Sequence, residues 1–290
     1  MTALAVCRFV HFMAVMLTFG MSAYLWLYAP ERLRFALSPA ARRLALIASV
    51  VALGTGLVWL SLESAAMSGD MSAALEPSAI GAVLTDTEFG HAWTAHLVLA
   101  AALVAIVLFA PRGRWTTISL ASAALLASLG LVGHAAMQTG AEGLLHRLNH
   151  AVHLLAAGAW LGGLIAFAMC LGAYDRDDLR KDAVRAMMSF SFWGQLVVAA
   201  IILTGIVNIA LTSGHPPIPP TTPYRKLLIA KLGIVGIMIA LALLNRFVLA
   251  PQLKSSPAAL AALRLTSAAE IALGSLVVAL VSVFALLDPA

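Results

Sequence analysis

Four of the chain's eight histidines fall in the stretch GHAAMQTGAEGLLHRLNHAVHLLAAGAWLGG, residues 133–163. At about 100° per residue, His150 lies about 40° round from His146 and His153 about 20° the other way, so the three share one helical face. His134 and Met137, at i and i+3, share a second face across a short turn. Helix ends joined by so few residues are neighbours, so these side chains are expected to converge. Imidazole with thioether suits copper: neutral imidazole binds either oxidation state, and Met favours Cu(I). Asn149 and Glu142 are placed to fix the imidazole tautomers. The plainer reading of the same residues is a group of interfacial histidines that cap helices and bond their neighbours.

The elements that must position them follow from composition. The chain has 290 residues, 62% hydrophobic and 11% charged, with a mean hydropathy of +0.96. A soluble domain of this length is neither so apolar nor so sparsely charged, and membrane-spanning helices are the cause. Eight apolar runs are each long enough to cross the hydrocarbon layer: residues 4–28, 41–63, 91–110, 115–138, 146–172, 187–212, 226–248 and 262–287. They leave no room for a soluble domain, so the expectation is one all-α bundle of eight transmembrane helices over residues 1–290. The first run lacks a basic n-region and a cleavage site, and reads as an uncleaved helix.

Charge sets the orientation. Thirteen of the eighteen Lys and Arg lie in the loops after the first, third, fifth and seventh runs, against five (Arg8, Arg147, Arg225, Lys226 and Lys231) on the other side. The positive-inside rule puts the thirteen in the cytoplasm and both termini in the periplasm. The net charge of +5 is scattered over loops without interleaved aromatics, so nucleic acid is not expected as a partner; the lipid bilayer is. Cys7 and Cys170 fall near opposite faces and cannot form a disulfide with each other.

In this frame all eight histidines lie in the outer half. His11 is in the first run, His91 and His96 open the third, and His215 sits in the proline-rich loop GHPPIPPTTP. Intramembrane ionisable residues point to function by default. His11 shares a helix face with Cys7 and is a candidate contributor to the metal site; His91 and His96 are about 140° apart, so at most one of them faces it. Met67 and Met71 are candidate entrance ligands, and Met169-Cys170 with Met187-Met188 a candidate exit, although a plain loop and core packing explain them as well. Asn208 and Lys231 are placed to support the site. Glu270, two turns into the last run, is expected to pair with Arg246. Gly158 to Gly162 is a GxxxG that lets a neighbouring helix approach beneath the histidines.

With these residues on the page, the chain resembles the bacterial copper-resistance protein D family (CopD/PcoD) over nearly its whole length. The matching stretches are RFVHFMAVMLTFG (8–20), VGHA (132–135), HRLNHAVHLLAAGAWLGGL (146–164), FS (190–191), TGIVN (204–208), YRKLLIAK (224–231) and LLNRFVLAP (243–251). The resemblance implies an inner-membrane protein of eight helices that works with a periplasmic CopC-like copper-binding partner and moves copper toward the cytoplasm. By position it implicates His11, His134, His146, His150 and His153, with Asn208, Lys231, Asn245 and Glu270 as polar residues of the pattern. His91, His96 and His215 lie outside it.

The leading expectation is therefore a copper-binding transporter rather than an enzyme, with no phosphate-binding loop through which ATP could drive it. Two alternatives stay open. One is a membrane b-type cytochrome with a bis-His haem near the periplasmic face, although the inner half offers no histidine for a second haem. The other is a scaffold that binds copper without moving it.

Overall fold

The computed structural model describes residues 2–111, 113–133, 138–213, 219, 222–253 and 256–287. Among them there is no strand, and the chain runs through ten α-helices with three short helical turns. In order these are α1 (Thr2–Leu27), α2 (Glu31–Ser68), α3 (Pro77–Asp86), α4 (Glu88–Phe109), α5 (Trp115–Ser128), α6 (Gly140–Ala173), α7 (Arg180–Ser213), α8 (Pro223–Leu244), α9 (Ala250–Gln252) and α10 (Pro257–Phe284). Each of the eight expected apolar runs contains a helix among the described residues. Among the described residues seven helices are long and apolar enough to cross a membrane, and a further apolar helix, Trp115–Leu131, is shorter. The run expected to continue to residue 138 stops early, because α5 tightens into a 3₁₀ turn at Leu129–Leu131 and Gly133 then takes a φ of +80°.

The segment between α2 and α4, expected as a loop, is partly helical. Gly69 closes α2 in the left-handed conformation at φ +72°, Asp70 caps the 3₁₀ turn Met71–Ala74, and Pro77 opens α3. Thr87 then joins α3 to α4: its hydroxyl donates to the Val83 carbonyl at 2.6 Å and accepts from the Gly90 amide at 2.9 Å.

The bundle is built around α1 and α6. Val15, Met21, Tyr24 and Leu25 of α1 are sealed from solvent, as are Ala166 and Cys170 of α6. The two helices cross at backbone distance. A Cβ on Gly20 would lie 2.2 Å from the Gly158 carbonyl oxygen, and one on Gly162 would lie 2.1 Å from the Met16 oxygen. The GxxxG of residues 158–162 is thus the seat for α1. Helix α2 and α5 flank α1, α4 packs on both of them, and α7 covers the other side of α6. Helix α8 packs on α10, which closes against α1 and α6. The outward faces carry Ile47, Leu57, Leu120, Phe192, Leu196, Leu203, Ile206 and Leu243, all exposed, as a bilayer-facing surface requires.

Basic side chains secure one end of the bundle. Arg42 donates to the Ala110 and Leu108 carbonyls that end α4, at 2.7 and 3.1 Å. Arg264 reaches the Leu171 carbonyl near the end of α6 and the Asp175 carboxylate at 3.0 and 2.6 Å. Guanidinium at a helix C-terminus meets the negative end of the dipole and orphan carbonyls. Cys7 and Cys170 are both free and buried, as expected.

Candidate metal centre

Helix α6 begins at Gly140, so His146, His150 and His153 stand inside its second to fourth turns. His153 faces α7, where its Nδ1 lies 2.9 Å from the Thr204 hydroxyl. That hydroxyl has one hydrogen, and it is given to the Ala200 carbonyl in its own helix. Thr204 must therefore accept from His153, which fixes the proton on Nδ1 and leaves Nε2 as the nitrogen His153 can offer a metal. His150 meets α7 one turn nearer the helix start: the Asn208 amide lies 3.5 Å from its Nδ1. Asn149 braces that contact by donating to the Asn208 and Thr204 oxygens, both at 2.9 Å. The Nδ1 of His146 lies 2.9 Å from the Gln138 Oε1, and the Gln138 amide is held by the Leu211 carbonyl of α7 at 2.7 Å.

The three α6 histidines are thus each positioned by a polar contact, two of them directly from α7. Asn149, expected to fix an imidazole tautomer, instead bonds Asn208 and the Thr204 carbonyl and touches no imidazole through these contacts. Glu142 remains exposed in the first turn of α6, where a carboxylate suits the dipole. Lys231 of α8 is close enough to interact electrostatically with His153, and its ammonium lies 5.8 Å over the Phe284 ring. His134 and Met137 lie outside the described residues, as does His215. Among the described residues no group of three or more His, Cys, Asp or Glu side chains converges on one point.

His11 is elsewhere. It is fully buried, and its Nε2 lies 3.0 Å from the Nε2 of His96 on α4. Its Nδ1 meets the Thr55 hydroxyl of α2 at 3.0 Å, and the Nδ1 of His96 meets the Ser128 hydroxyl of α5 at 2.8 Å. Trp93 stacks on His96 at 4.6 Å between ring centres, and Trp59 stands edge-on to His11 at 5.7 Å. Of the two α4 histidines only His96 is internal; His91 is exposed and contacts the Thr85 carbonyl at 2.9 Å. The signal for His96 was available in the sequence. It belongs to the stripe Trp93, His96, Ala100, Leu103, Val107, spaced three, four, three and four, which is the buried edge of α4.

Deeper in the bundle the expected Glu270–Arg246 pair does not form. Glu270, 2% exposed, accepts from the Asn245 amide at 2.7 Å and from the Trp160 indole, while Thr266 donates to the Asn245 oxygen. Arg246 instead donates to Ser191 at 3.1 Å and lies over Phe192 and Phe247. A π-helical turn begins here, at Asn245–Leu249, and its Ala250 amide bonds the Asn245 carbonyl. Pro251 follows directly, and a proline there cannot continue the α-helical ladder. Asn245 and Arg246 are neighbours about 100° apart on the helix, so Asn245 faces α10 while Arg246 faces α7.

A bundle of long apolar helices, with imidazoles buried in its interior, defines a polytopic membrane protein. The chain matches the family model "Copper resistance protein D-like, N-terminal domain" over residues 1–144 and the model "Copper resistance protein D" over residues 184–284. It is 33% identical to inner membrane protein YebZ of Escherichia coli, with 97% of each chain covered. It is also 33% identical to copper resistance protein D of Pseudomonas syringae pv. tomato, over 84% of this chain and 81% of that one. Copper transport protein CutJ of Bacillus subtilis is 27% identical over 68% of this chain, which spans 38% of that longer protein. No solved structure matches. The chain belongs to the copper resistance protein D family.

Proposed function

We propose that this protein binds copper among the α6 histidines at the periplasmic side of the inner membrane and passes it toward the cytoplasm. The observation that carries the reading is the α6–α7 arrangement, in which Thr204 fixes the tautomer of His153 and Asn208 meets His150. Such outer hydrogen bonds are what a metal-binding imidazole needs to present one defined nitrogen. His146 stands in the same row, and His134 with Met137 would complete an imidazole–thioether set suited to Cu(I). The Lys231 ammonium opposes permanent retention of a cation beside His153, which suits a relay better than a store. Deeper between α6, α8 and α10, beyond an apolar layer, Trp160, Glu270, Asn245 and Thr266 form a second polar group on the way to the other end of the bundle. The printed names of the relatives, a copper resistance protein and a copper transport protein, support copper as the cargo. A periplasmic CopC-like protein is the partner we assign to delivery at the histidine end, and the chain acts as a carrier rather than an enzyme.

The haem alternative has no favouring observation. The His11–His96 pair, whose imidazoles face each other across helices, is walled by Trp59 and Trp93, which a macrocycle between the rings would have to displace.

Purified protein in liposomes should take up copper, and His153→Ala should abolish that uptake. Copper bound with unchanged affinity by the His150→Ala and His153→Ala variants would overturn the site. Binding without uptake would leave a scaffold.

A further inference from the structure

The His11–His96 pair is one positive charge short of a complete hydrogen-bond network. Five contacts link it end to end: the Thr55 hydroxyl to the Val51 carbonyl at 2.6 Å, Thr55 to His11 Nδ1 at 3.0 Å, His11 Nε2 to His96 Nε2 at 3.0 Å, His96 Nδ1 to Ser128 at 2.8 Å, and Ser128 to the Leu125 carbonyl at 2.7 Å. Two hydroxyls and two neutral imidazoles supply one hydrogen each. Both hydroxyls are committed to helix carbonyls at their own ends, so both accept from Nδ1. The two Nε2 lone pairs are then aimed at each other inside a sealed space, which is repulsive unless a cation lies between them.

We propose that His11 and His96 form a second Cu(I) site, distinct from the α6 cluster, with the ion held in a two-coordinate bridge between the Nε2 atoms. Cu(I) carries the single charge the network lacks and accepts two imidazole nitrogens in a line. A divalent ion would want more ligands than two, and here the rest of the wall is aromatic or small: Trp59, Trp93 and Gly56. With metal–nitrogen bonds of about 2 Å, the rings must part by about 1 Å to admit the ion. Thr55 and Ser128 are the residues that orient the two ligands. Cys7, one turn from His11 with its thiol on the Thr55 carbonyl at 3.2 Å, marks the route from the nearer end of the bundle. The proposal rests on the copper reading but not on the α6 cluster.

The test uses the full chain carrying His146→Ala, His150→Ala and His153→Ala together, titrated with Cu(I) against a competing chelator under reducing conditions. This background should retain one Cu(I) per chain, with an X-ray absorption spectrum of two nitrogen neighbours. Adding His96→Leu should remove that ion. Adding His96→Met should keep it with one nitrogen and one sulfur, which also shows that the fold survives substitution there. Adding Thr55→Val should weaken binding about tenfold. Retention of the ion with an unchanged spectrum after His96→Leu would overturn the proposal, as would a background that binds none while the natural sequence does; the pair then shares a proton instead. If the natural sequence binds no copper at all, both this site and the function proposed above fall.

Discussion

A histidine's identity says little until its second nitrogen is accounted for. His11, buried, and His153, half-buried, each stand against a threonine hydroxyl that is itself bonded to the preceding helical turn. The threonine acts as a one-way acceptor and decides which nitrogen faces inward. Thr204→Val should therefore weaken copper binding about tenfold without removing a ligand, and His153→Ala or His150→Ala should weaken it tenfold or more. His91→Ala should leave affinity unchanged, because that ring is spent on a surface carbonyl outside either cluster. Competition titration of the purified variants reads all four. Equal effects at His91 and His153 would mean that neither is a ligand.

At the scale of elements, the α1–α6 crossing fixes how far apart the two histidine clusters stand. Gly20 meets backbone atoms of Gly158, Gly162 and Gly163, none of which can rotate away. Gly20→Val should cost about 1–3 kcal/mol or more by overpacking, lowering the thermal midpoint in detergent. The same change at Gly54, which meets nothing within 4 Å, should be tolerated. The end of α8 is the other decisive element, because the face it turns to α10 makes Asn245 rather than Arg246 the partner of Glu270. Glu270→Gln keeps a partner for Asn245 and the fold with it, yet removes the charge on the proposed path. Uptake into liposomes should fall while copper affinity at the α6 histidines stays the same.

For the whole molecule, the charge asymmetry of the loops makes a topological prediction. Reporter domains fused to either terminus should be active in the periplasm, and those placed in the loop between α6 and α7 should be active in the cytoplasm. The opposite pattern would put both histidine clusters at the cytoplasmic end and reverse the proposed direction of copper. The molecule also divides its work unevenly. Helices α1 and α6 are the most enclosed, while α7 and α8 expose most of their surface to lipid.

Much of this was legible in the chain itself. An apolar run long enough to span hydrocarbon has few alternatives to helix, because every backbone amide must be satisfied within the segment. The eight runs, the shared face of His146, His150 and His153, and the close-packing role of Gly158 and Gly162 follow from period and composition alone. Periodicity gives the face of a residue but not the neighbour across it. Hence the chain alone offers His11 as a candidate beside the α6 histidines but does not name its neighbour His96 of α4, suggests Arg246 for Glu270 where Asn245 is the partner, and gives no sign that Thr55 and Thr204 set tautomers. Those assignments depend on how helices distant in sequence are rotated and set in depth against one another, and that is decided by side-chain packing between helices, which no single helix encodes.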